Sequence, residues 1–134
     1  MTKLATRSNK LSNVVVYEQY IEHGHCRSDA TVTVVAGMDI GSVVYLSSGK
    51  YVTLTATAAG TPANLTSIAI VIDSKTPVTA AGDATLTVLN MPAGGVAGVS
   101  KNGLVLGSGT WDSTLKAAVY AALQARGIKV LTTA

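Results

Sequence analysis

The chain has 134 residues, 48% of them hydrophobic, and a formal charge of +3 at pH 7. That length sets one domain with a short appendage, large enough to fold without a metal or disulfide staple. Cys26 is the only cysteine, so there is no intrachain disulfide framework, and so small a charge, placed at one end, does not point to nucleic acid.

The charge is unevenly placed. Lys3, Arg7 and Lys10 fall in the first twelve residues with no acid among them, while from Ser12 onward seven basic residues balance seven acidic ones. Those same cations, with Asn9, interrupt any apolar stretch of the signal-peptide kind. The longest apolar run, Ile68 to Ile72, is far too short to span a bilayer. Synthesis in a cytoplasm and no membrane partner are the expectation. There is no Phe, and Val, Ala, Thr and Gly dominate. Val and Thr suit a pleated, half-buried surface and Gly supplies turns, so the fold class is mainly β.

In chain order, Thr2 to Asn13 is polar and irregular. Asn13 to Tyr17 is a short β-prone burst with no hairpin partner of its own; it either docks onto the body or pairs with another chain. Glu22 to Arg27 is polar and Gly-broken, so residues 1–26 read as an arm and 27–134 as a β-rich body. Ala30 to Val35 alternates Val32 and Val34 against Thr31 and Thr33, as a one-sided strand does. Gly37 and Gly41 mark a turn, and Ser42 to Leu46 resumes in extended form. Ser47 to Lys50 is a hairpin loop into a strand over 51–57, with Val52, Leu54 and Ala56 facing one way.

Ala58 to Asn64 reads as a loop, and Ser67 to Asp73 as a continuously buried strand. A loop over 74–83 leads to a strand over 84–91, then a Gly-rich stretch, with Asn102-Gly103 as a turn. One helix is predicted near the C-terminus, N-capped by Asp112 or Ser113 and followed by Gly127 as its C′ residue. Leu115, Ala118, Val119, Ala122 and Leu123 fall on one buried face of it, and a final strand follows over 128–132.

Chemistry-bearing clusters are few. His23, His25 and Cys26 are the candidate metal ligands, but a zinc site needs further ligands from a separate rigid element, and no second His/Cys group exists. The reading adopted is a polar hinge between arm and body. Cys26 with a neighbouring histidine lacks a third group to orient the base. The acids are scattered singly, so no carboxylate pair suggests acid/base work. The Gly-rich stretches match neither a dinucleotide fingerprint nor a P-loop. Trp111 reads as a packing anchor and, if exposed, as an interface residue. No enzyme and no cofactor are expected.

The segment TVTVVAGMDIGSVVYLSSGKYV, followed in order by SIAIVID, ATLTVLNMP and the amphipathic helix closed by RGIKV, resembles lambda-type bacteriophage head decoration proteins. The likeness runs over roughly residues 13–134 and lies in order and spacing. It implies a β-clip-like head-decoration fold with one C-terminal helix, assembling as homotrimers at three-fold and quasi-three-fold positions on the outer capsid surface of the virion. Such trimers bind the major capsid protein and hold the expanded head against internal DNA pressure, with no direct contact to nucleic acid. The arm of that family orders against the capsid protein and adds a strand to it. Here Val14, Val15, Val16 and Tyr17 would carry strand addition, while Lys3, Arg7 and Lys10 would meet acidic capsid surface. The VAGMDIGSVV pattern also occurs in other β-clip modules. The alternative is therefore a small-ligand-binding module of a larger complex, with a pocket near Asp39, Asp73 or the 92–103 loops.

Overall fold

A computed structural model of the chain describes residues 14–18, 26–35, 38–73, 82–91 and 96–131. The first half runs β1 (Val15–Glu18), β2 (Arg27–Val34), β3 (Val43–Ser47), β4 (Lys50–Thr53) and a short helix α1 (Ala56–Ala59). After a 3-10 turn over Pro62–Ser67 come β5 (Ala69–Val71), β6 (Gly82–Leu89), β7 (Ala97–Ser100), α2 (Ser113–Ala125) and β8 (Ile128–Leu131). The fold is mainly β with one long helix. Five strands close a barrel in the order β2-β4-β3-β5-β6, and the other three form a separate sheet in the order β1-β7-β8.

Side-chain alternation builds two cores from the same strands. Val44, Ala69, Val71 and Val88 point into the barrel, where they meet Val32, Val34, Leu86 and Tyr51. Their neighbours Val43, Ile70 and Leu89 point the other way, into a second core shared with Leu123 of α2 and with Val99 and Ile128 of the small sheet. Strand β5 is therefore buried on both faces. That is why 68–72 is continuously apolar rather than alternating.

The turns are set by backbone geometry. Ser47 pairs with Lys50 across the two-residue turn Ser48–Gly49, whose φ values of 55° and 82° suit the twist of a tight hairpin. At Gly41, with φ +100°, the chain passes so close to Gly103 that an added β-carbon would lie 2.1 Å from the Gly103 carbonyl oxygen. Only glycine fits there. The approach lets the Val105 N–H donate to the Gly41 carbonyl and the Val43 N–H to the Val105 carbonyl, tying the 103–105 segment to the start of β3.

Helix α2 follows its sequence signals. The Asp112 carboxylate accepts from the Leu115 N–H at 2.8 Å, an N-cap that contributes about 1 kcal/mol. Val119 and Leu123 are buried, Leu115 and Ala122 pack beside them, and Gly127 turns the chain with φ +92° into β8.

Three sequence expectations are corrected. Strand β4 ends at Thr53, and Tyr51 faces the barrel interior while Val52 is only half-buried, so Val52, Leu54 and Ala56 do not line one strand face. Leu54 and Ala56 lie beyond the strand, and the chain turns at Thr55, whose hydroxyl accepts from the Ala58 N–H to start α1. The expected loop over 58–64 is largely helical, because Pro62 supplies the preset φ of a first helical position. Finally, 14–18 and Cys26 are part of the body. Val14 and Cys26 are fully buried, and β1 pairs antiparallel with β7. The boundary expected after residue 26 cuts through this core.

Candidate functional site

Two features are candidates for function: the strand edge at β1 and a cavity at the barrel mouth. In the order β1-β7-β8, β1 is an edge strand. It pairs Val15 with Val99, Tyr17 with Gly98 and Glu18 with Ala97, with a bulge between Val15 and Tyr17. The bulge separates the roles of neighbouring valines. Val14 is fully buried, Val15 packs partly against the core, and Val16 is 41% exposed. Val96, just before β7, is also exposed. Of the residues expected to carry strand addition, Val14 is a core residue of its own chain and Val16 remains open to a partner. Tyr17 lies in β1 with its side chain outside the described residues, as do Lys3, Arg7, Lys10, His23 and His25 entirely.

Cys26 is buried, and its Sγ lies 3.7 Å from the Val96 carbonyl oxygen as a weak donor. Among the described residues no three His, Cys, Asp or Glu side chains gather as metal ligands, and no helix is long and apolar enough to cross a membrane. Trp111 is half-buried, packs on the core and donates its indole N–H to the Gly107 carbonyl at 2.7 Å. It is an anchor for the loop preceding α2.

Asp39 and Asp73, the expected pocket acids, are buried and accept from backbone N–H groups, while Asp39 Oδ2 has no hydrogen-bond partner. Asp39 Oδ1 accepts from the Ile40 N–H at 2.8 Å and Asp73 Oδ2 from the Thr87 N–H at 2.8 Å. On the barrel exterior Lys50 pairs with Asp83, which also accepts from the Thr33 hydroxyl. The hydrogen bond from Lys50, reinforced by that from Thr33, holds the Asp83 carboxyl below the usual carboxylate range.

The cavity opens where two barrel strands part. β2 and β4 are parallel and share one paired position, Val32 with Tyr51. β2 continues along β6 as far as Val34 opposite Gly82, whereas β4 turns away at Thr53 into α1. The gap holds about 630 Å³, walled by Val35, Met38, Val52 and Leu106, with the Ser42 and Thr53 hydroxyls among its polar groups. It lies beside Asp39, whose backbone N–H donates to Ser42 Oγ at 2.9 Å. Sequence periodicity marks β2, but it misses β7 over Ala97–Ser100, overextends β4, and does not show the parallel β2/β4 pairing that makes this mouth. Arg126 was likewise visible only as part of the segment closing the helix. In the structure its guanidinium donates to the carbonyls of Thr66 and Asn90, joining the end of α2 to the 3-10 turn and to the end of β6.

Comparison of the chain with protein-family models, with curated proteins and with solved structures gives no match.

Proposed function

We propose that this is a decoration protein of lambda-type phage heads with a β-clip fold. It binds the major capsid protein on the outer surface of the expanded head, as homotrimers at three-fold and quasi-three-fold sites, and strengthens the lattice against internal DNA pressure. The observation that carries the reading is the position of β1. The acid-free basic opening segment lies just before β1 in the sequence, and among the described residues β1 is an edge strand with one side unpaired. Lys10 is four residues from Val14, a span of at most about 14 Å. A capsid strand laid along that edge would gain backbone hydrogen bonds, each about 1 kcal/mol net. Occupation of a three-fold site by linked subunits multiplies the effect of each single contact.

The test is co-sedimentation with expanded heads, using the full chain and a version that begins at Asn13. A start at Asn13 keeps Val14 and β1, so the truncated chain retains its core. The reading expects the full chain to pellet in multiples of three per lattice site and the shortened chain to pellet far less. If neither pellets while both remain folded, the reading fails. The cavity favours a second reading, a small-ligand-binding β-clip module of a larger complex, which expects saturable ligand binding and no co-sedimentation.

A further inference from the structure

The mouth between β2 and β4 has three properties of a ligand site. Its volume of about 630 Å³ lies within the few hundred to about a thousand Å³ typical of small-molecule pockets, which recur at the mouths of β-barrels. The described residues lining it are uncharged, and the nearest described charged group is the buried Asp39, whose Oδ2 has no hydrogen-bond partner. An anionic ligand would give up hydration without gaining a counter-charge from those walls. And Thr53, on its wall, carries a hydroxyl oxygen that is shielded from water and has no hydrogen-bond partner.

The third property sets the ligand class. A buried unpaired hydroxyl is costly, and rotation about the Cα–Cβ bond of Thr53 is the small movement that would present it to the cavity. Ser42, on the same wall, already accepts from the Asp39 N–H, so its own hydroxyl proton remains to be donated. Val35, Met38, Val52 and Leu106 supply apolar contact on the same lining, and Thr55 and Ser108 add further hydroxyls to it.

We infer that this mouth binds a small neutral molecule with an apolar body and a hydroxyl group that reaches Thr53 and Ser42, for which a monocyclic alcohol is the minimal probe. The inference stands on the cavity alone and is independent of capsid binding.

The fold contains its own reporter. Trp111 is the single tryptophan, and its indole donates to the carbonyl of Gly107, which lines the cavity. Cyclohexanol titrated into the full chain is expected to change Trp111 emission saturably with one site per chain. Amide shifts in the ¹H–¹⁵N spectrum are expected to gather at Val35, Met38, Val52, Thr53 and Gly107. Thr53→Val keeps the shape and removes the hydroxyl, so it should weaken cyclohexanol roughly three- to tenfold and leave methylcyclohexane unchanged. Val35→Phe at the exposed rim narrows the mouth and should weaken both probes. No saturable change up to the solubility limit of cyclohexanol, or shifts confined to other parts of the fold, overturns the site. Equal weakening of both probes by Thr53→Val overturns the assigned hydroxyl contact. Should Thr53→Val fail to fold, Val35→Phe and the shift map decide the matter.

Discussion

Val14 packs against the turn at Gly41: a β-carbon built on Gly41 would stand 3.1 Å from Val14 Cγ2. Because Val14 is fully buried, the start of β1 is locked to the tight crossing of 41 with 103 rather than lying on the surface. The strand-forming burst at the N-terminus is thus an internal staple whose outer residue, Val16, remains exposed.

This relationship separates the first twelve residues from the next five. Val14→Ala should cost about 2 kcal/mol, from lost burial and the cavity left behind. Deletion of residues 1–12 removes none of the described core, so its denaturation midpoint should match that of the full chain. Urea denaturation of the two variants checks both expectations.

Gly41→Ala meets a backbone carbonyl at 2.1 Å and a left-handed φ together. It should destabilise by about 3 kcal/mol or more, or prevent folding. Gly49→Ala is the control, with φ +82° and nothing within 4 Å of the added carbon. It should cost only about 1 kcal/mol, the left-handed penalty alone. Similar losses at the two positions, read by thermal unfolding, would contradict the close approach of 41 and 103.

Arg126 should matter beyond its charge. Arg126→Ala removes donors to the Thr66 and Asn90 carbonyls and should cost roughly 1 to 3 kcal/mol. Arg126→Lys offers a single ammonium in place of a fork and should recover only part of that loss. Hydrogen exchange at the end of α2 and in the 62–67 turn should accelerate in both variants.

Asp83 sets a small acid dependence. Its folded pKa lies below the unfolded value, because Lys50 and then Thr33 hydrogen-bond the carboxylate. The linked stability is therefore present above the unfolded pKa and is lost as pH falls through the lowered one. Both partners are substantially exposed, so salt should weaken the effect. Carboxyl-carbon NMR should show Asp83 titrating at lower pH than an ordinary aspartate, and Lys50→Met should move it upward.

Local pattern made much of the fold legible. The alternation of Val32 and Val34 with threonines marked β2, the Ser48–Gly49 pair marked the hairpin, and the spacing from Leu115 to Leu123 marked α2 with its Asp112 cap. Each depends on periods of two or 3.6 residues or on one turn, which neighbouring residues specify. The region over 54–67 was misread because Thr55 and Pro62 start short helices through single capping and φ effects that run against the apolar pattern.

The candidate sites were less legible. The basic segment and the β-prone burst stand out in the chain, and so does the difference between them. That Val14 turns inward while Val16 stays exposed follows from the bulge in the β1–β7 pairing, made across more than eighty residues of sequence.

The sequence by itself determined a mainly β domain with one capped C-terminal helix and a basic, acid-free opening segment. Only the tertiary structure decided that β1 belongs to the body, that five strands close a barrel, and that β2 and β4 part to leave a cavity. The physical reason is the range of the interactions. Capping, turn φ values and side-chain alternation act within a few residues. Strand pairing and barrel closure join residues far apart, where many partners are chemically equivalent and only the shared burial of two cores selects among them.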